Sequence, residues 1–87
     1  MIIHTLPFDF DLESSYENIR KVHGSEGGAV FLAEHGSRFY VIIDQRTMAD
    51  LVAPEDADLL GIMLQAIEFE NETERKQFIE TRGWEKV

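Results

Sequence analysis

Ala29-Val30-Phe31-Leu32-Ala33-Glu34-His35-Gly36-Ser37-Arg38-Phe39-Tyr40-Val41-Ile42-Ile43-Asp44 reads as a β-hairpin. Its two arms, Ala29 to Glu34 and Arg38 to Asp44, are rich in branched and aromatic side chains, which suit a pleated surface. His35-Gly36-Ser37 supplies the turn, with Gly36 able to take positive φ. Apolar residues fall on both faces of the arms, so both faces must be covered, one by helices and the other by a further helix or a second chain. Phe31, Phe39 and Val41 are accordingly assigned to a dimer contact, together with Met63 and Ile67 from further along the chain.

Towards the N-terminus, Ile2 to Leu6 is a short β-favouring run that Pro7 ends or places at an edge. Phe8-Asp9-Phe10-Asp11 alternates apolar and acidic residues, as an extended lead-in would. Leu12, Tyr16, Ile19 and Val22 recur at helical spacing, Ser14 and Glu17 can form a capping box, and Gly24 suits the position after a helix. Residues 24–28 hold three glycines and read as a loop, with no Lys-Ser/Thr to make a phosphate cradle. Towards the C-terminus, Thr47 to Val52 reads as a short helical turn, and Pro54 opens a helix that carries the apolar run Leu59 to Phe69. Asn71 and Glu74 cap a last helix over about 71–82, which Gly83 ends. The expected fold class is therefore α+β: a three-stranded antiparallel sheet, the N-terminal strand plus hairpin 29–44, packed with three to four short helices.

The 87 residues fit a single domain, 1–87. With no cysteine, neither a disulfide nor a Cys-based zinc site can staple it, so the core or a partner subunit must hold it. An apolar fraction of 44% is enough for that core and too high for a disordered tail. No apolar run approaches the roughly 18 residues that span a bilayer, and the start lacks the pattern of a signal peptide. The expected compartment is the cytoplasm, with no membrane contact. A net charge of −9 repels nucleic acid and anionic membranes and attracts a basic partner.

Catalytic signatures are missing from the sequence. There is no Gly-x-Ser-x-Gly, no cysteine nucleophile, and no metal spacing among His4, His23 and His35. Asp9, Asp11 and Glu13 alternate as in a calcium loop, but the sixth and twelfth positions hold Ser14 and Arg20 where glycine and glutamate are required. No cofactor or metal is expected. Glu55, Asp56, Asp58, Glu68, Glu70, Glu72 and Glu74 fall between Pro54 and Arg75 with no base among them. They form a solvated face, an attractor for a basic protein surface, or a mimic of DNA phosphates.

The order strand, short helix, hairpin, helix, helix resembles the prevent-host-death (Phd/YefM) antitoxins of bacterial toxin–antitoxin pairs, with the local match over about residues 1–52: Val30 to Ile43 as the hairpin, Asn18-Ile19 in the first helix and Thr47 to Leu51 as the helix after the hairpin. The resemblance implies dimerisation through the hairpin domain and a C-terminal helix that engages a toxin. That family binds operator DNA with basic residues near the start of its first helix. Here the place holds Leu12-Glu13-Ser14-Ser15-Tyr16-Glu17, which cannot release counterions from DNA.

The expected function is a non-enzymatic, acidic protein-interaction module, antitoxin-like or inhibitor-like, that forms a homodimer and docks a partner with a basic surface. Phe78, Ile79 and Trp84 would be the aromatic and apolar anchors, with Glu68, Glu70, Glu72 and Glu74 beside them. Phe78, Ile79 and Trp84 could equally close the core. A phage- or plasmid-type inhibitor of a nucleic-acid enzyme is one alternative. A small enzyme whose site is shared between chains, using His35, Tyr40 and the Asp44–Arg46 pair, is another. Nucleic-acid binding through Arg20, Lys21, Arg38 and Arg46 is the least expected.

Overall fold

The computed structural model describes residues 1–25, 28–47 and 63–84, apart from the Ser25 side chain. It holds five strands and two helices in these residues: β1 (Ile2–Thr5), α1 (Leu12–Ser15), β2 (Glu17–Ser25), β3 (Gly28–His35), β4 (Arg38–Asp44), β5 (Leu64–Phe69) and α2 (Glu72–Arg82). The strands make one antiparallel sheet in the order β1-β5-β4-β3-β2.

The hairpin forms as β3 and β4, with His35 opposite Arg38 and Gly36 at φ +62°, the left-handed region that glycine enters without a steric penalty. At the open end of the hairpin a side chain on Gly28 would collide with the Asp44 carbonyl oxygen, so this approach of backbones requires glycine.

The expected three-stranded sheet with three to four helices is corrected to a mostly β architecture of five strands. Two segments read as helix are strands. Residues 17–25 form β2 at one edge of the sheet, and only Leu12–Ser15 is helical, with Asp11 rather than Ser14 at its N-cap. Tyr16, Ile19 and Val22 do not share a helix face. Tyr16 and Ile19 pack on one side of the sheet and Val22 on the other. Two register shifts in β2, around Asn18-Ile19 and near Val22, rotate the strand so that this uneven spacing is accommodated, and Asn18 takes φ +53° at the first. The Asn18-Ile19 pair that matches the antitoxin helix therefore lies in a bulge.

Residues 64–69 form β5, a central strand between β1 and β4. Leu64 and Ala66 face one layer and Ile67 and Phe69 the other, and all four are buried. A strand buried on both faces is apolar all round, and so is a buried helix, which is why periodicity could not separate them. The N-terminal strand pairs with β5 and not with the hairpin: Ile3 lies opposite Ile67. The proposed helical turn after Thr47 and the helix start at Pro54 lie outside the described residues.

Each sheet face is covered by its own chain. On one side Leu12, Ala33, Tyr40, Ile42, Leu64 and Ala66 form a core roofed by Leu6, Phe10 and Tyr16. On the other, Val30, Leu32, Val41, Ile67, Phe69 and Ile79 form a second core beneath α2. Asn71 caps α2, its side chain accepting the Glu74 N–H at 2.9 Å. Gly83 ends it at φ +70°, with Gly83 N–H donating to Glu80 O and Trp84 N–H to Ile79 O.

Candidate functional site

The two edges of the sheet differ. The β2 edge is broken by its bulges and carries exposed Arg20 and Lys21, two features that discourage further strand pairing. The β1 edge has neither. Its four residues, Ile2-Ile3-His4-Thr5, are all exposed. Among the described residues the exposed large apolar side chains are Met1, Ile2, Ile3 and Phe8, and the first three adjoin one another on or beside β1. Ile3 is 56% exposed although its neighbour across the β1–β5 pair, Ile67, is only 4% exposed. Residues 1–7 contain no acid, in a chain whose net charge is −9.

A polar hub lies next to this edge on the α1 side. The Glu68 carboxylate takes His4 Nε2 at 3.1 Å and the Tyr40 hydroxyl at 3.2 Å on the same oxygen, with Arg38 Nε 3.9 Å from the other. Tyr16 meets Tyr40 edge-on at 5.0 Å, and His35 lies 6.3 Å beyond Tyr16. The hydrogen bond from His4, that from Tyr40 and the nearby Arg38 charge hold Glu68 below the ordinary carboxylate range, against a smaller opposing effect of burial. Burial first, and the Glu68 charge second, push the Tyr40 and Tyr16 phenols up. The carboxylate is thus ionised and the phenols are protonated at neutral pH, which is the arrangement of a structural clasp and leaves neither group poised near pH 7 for proton transfer.

Asp44 and Arg46, which the sequence marks as polar groups beside the hairpin, form a second clasp. Arg46 Nη2 and Nε reach the two Asp44 oxygens at 2.9 and 3.0 Å, while Nη1 donates to the Phe8 and Phe10 carbonyls at 3.2 and 2.8 Å. This guanidinium ties the loop after β1 to the end of β4. No group of three or more metal-ligating side chains occurs among the described residues. No helix among them is long and apolar enough to cross a membrane.

The residues assigned to partner binding do not converge. Ile79 is buried in the core beneath α2, where Phe78 and Trp84 pack at its edge. Arg82 stacks on the Phe78 ring at 3.7 Å. Glu70, Glu72 and Glu74 are exposed around the start of α2, but Glu68 belongs to the hub on the other face. Of the residues assigned to the dimer contact, Val41, Met63 and Ile67 are buried inside the chain, and Phe31 and Phe39 are half-buried against the two cores. Sequence reading passed over β1 as a contact because exposure of an edge depends on which strand becomes its neighbour. The signal available was the acid-free apolar start, Met1 to Pro7. Compared with protein-family models, with curated proteins and with solved structures, the chain matches none.

Proposed function

We propose that the protein is a non-enzymatic interaction module that pairs with a second copy of itself through β1 and presents its acidic remaining surface to a basic protein partner. The observation that carries this reading is the β1 edge, where Ile2 and Ile3 are both exposed and no described strand pairs on the side away from β5. Antiparallel pairing of a strand with its own copy is self-complementary under a two-fold axis, so one patch serves both subunits. The absence of acids from residues 1–7 supports this edge as the place where two molecules of charge −9 approach with least repulsion. The exposed Glu70, Glu72 and Glu74 support a basic partner. An antitoxin-like mode, in which the C-terminal helix leaves to wrap a toxin, would have to expose Ile79 and Arg75, both buried beneath α2. β1 offers contact at no such cost.

Light scattering after size exclusion, from micromolar to millimolar protein, tests the reading. A dimer is expected, and Ile3→Lys should give a folded monomer, because a charge on the edge strand blocks edge-to-edge pairing. A wild-type monomer across the whole range, or an Ile3→Lys dimer as tight as the wild type, would contradict it.

A further inference from the structure

α2 does not seal the whole of the sheet face it covers. Between it and β2–β3 lies a cleft of about 350 Å3, at the small end of the size range of small-molecule sites. Its floor is apolar, made by Val22, Leu32 and Ile79. Among the described residues its charged lining is Arg20, Arg75 and Lys76 against Glu72. Three of the eight basic residues of an acidic chain therefore line one small space.

Arg75 is the unusual member. It is 3% exposed, the one buried charged side chain among the described residues. Buried guanidinium groups are ordinarily met by a carboxylate in a two-pronged contact. Arg75 instead gives Nη1 to the Ala33 carbonyl at 3.0 Å, opposite the first β2 bulge where Ala33 has no partner in that strand. Its Cζ lies 5.1 Å above the Phe39 ring. The carboxylate within ion-pair range among the described residues, Glu72, is 4.0 Å from Nη2, and its side chain is mostly in solvent. Lys76 makes only a loose, exposed contact with Glu80 at 3.9 Å, which leaves its charge open to the cleft. The burial that disfavours the Arg75 cation is thus only partly offset by the acids near it. A buried guanidinium whose Nε and Nη2 meet no hydrogen-bond acceptor among the described residues, set above an apolar floor, is the recognition chemistry of an anion joined to a hydrocarbon body.

We propose that the cleft between α2 and β2–β3 binds a small organic carboxylate with an apolar body, its carboxylate held by Arg75 and its apolar part lying on Val22, Leu32 and Ile79. Arg20 and Lys76, at the exposed rim, draw the anion in and neutralise it. This site is on the opposite sheet face from the Glu68 hub and does not depend on pairing through β1.

Octanoate is the probe, followed by isothermal titration and by NMR of the Leu32 and Ile79 methyl groups, with octanol and inorganic phosphate as comparison ligands. Octanoate should bind and shift both methyls, while octanol and phosphate, each lacking half of the recognised chemistry, should bind at least about tenfold more weakly. Arg75→Gln should abolish octanoate binding. Should that variant not fold, Arg20→Gln, altered only at an exposed position, should weaken binding several-fold with the fold unchanged. No binding of octanoate, octanol binding as tightly as octanoate, phosphate binding as tightly as octanoate, or methyl shifts that leave out Leu32 and Ile79 would each overturn the assignment. A peptide with a free C-terminal leucine that binds tighter than octanoate would overturn it too, by making a protein tail the source of the carboxylate.

Discussion

The His4 imidazole meets the Glu68 carboxylate at 3.1 Å across the β1–β5 pair, a contact between residues 64 apart in the chain. It joins the first of the described strands to the last, and it does so from an exposed edge onto a carboxylate that also receives Tyr40.

Acid should therefore loosen the fold through two carboxylates. Glu68 and Asp44 both titrate below their ordinary values of 4.5 and 3.8 in the folded chain. For Asp44, burial acts upward, but the Arg46 side-chain and backbone hydrogen bonds and its charge outweigh it. A depressed folded-state value means that the unfolded chain takes up the proton first as pH falls. The stability these groups lend is fully present above their ordinary values and is lost as pH drops through the lower folded ones. Urea unfolding from pH 6 down to pH 2 should show a falling midpoint below about pH 4.5, with a shallower fall in Glu68→Gln. An identical acid profile in that variant would remove Glu68 from the account.

Arg46→Ala should cost about 2 kcal/mol, because it strips a part-buried carboxylate of its charged donors and releases two loop carbonyls at once. Urea denaturation measures the loss. Amide exchange should also accelerate across residues 8–12, which this side chain ties to β4. Unchanged exchange there would mean that packing of Phe10 and Leu12 alone holds the loop.

Ile42→Ala should cost about 3 kcal/mol. Ile42 is fully buried in the central strand β4, and the surrounding side chains sit on a hydrogen-bonded sheet that cannot collapse into the void. For a domain of this size, that is a large part of the whole margin. A loss under about 1 kcal/mol would show that this face of the core is loosely packed.

The ends of α2 should be separately measurable. Asn71→Ala removes the acceptor for the Glu74 N–H, and Gly83→Ala puts a side chain at φ +70°, each costing about 1 kcal/mol. The two sites are at opposite ends of the helix, so the double variant should show the sum of the two losses.

At Gly28 the expected effect is steric. A Cβ there would press on the Asp44 carbonyl oxygen and the Gln45 backbone, which cannot rotate away as a side chain could. Gly28→Ala should lower the thermal midpoint, whereas Gly36→Asn, at a turn position that asparagine tolerates and with open space around it, should be nearly neutral. Equal effects at the two glycines would contradict the close approach at Gly28.

What the sequence determined by itself is local. The β3–β4 hairpin, its turn at Gly36, the Asn71 cap and the Gly83 stop all rest on residues within a few positions of one another, whose steric and hydrogen-bonding preferences act before any long-range contact forms. The tertiary structure decided the rest. Leu64 to Phe69 became a strand because β4 and β1 flank it and two apolar layers bury it, and a run with grease on every side carries no period of its own to oppose that. Residues 17–25 became a bulged edge strand because β3 offered a row of backbone partners that outweighed the local capping-box and glycine-stop signals of a short helix. The candidate sites follow the same division. The Asp44–Arg46 pair lies within two residues and could be seen as a polar group beside the hairpin. The exposed β1 edge, the Glu68 hub and the buried Arg75 exist only once strands distant in the chain have chosen their neighbours, and that choice is made by burial summed over the whole sheet.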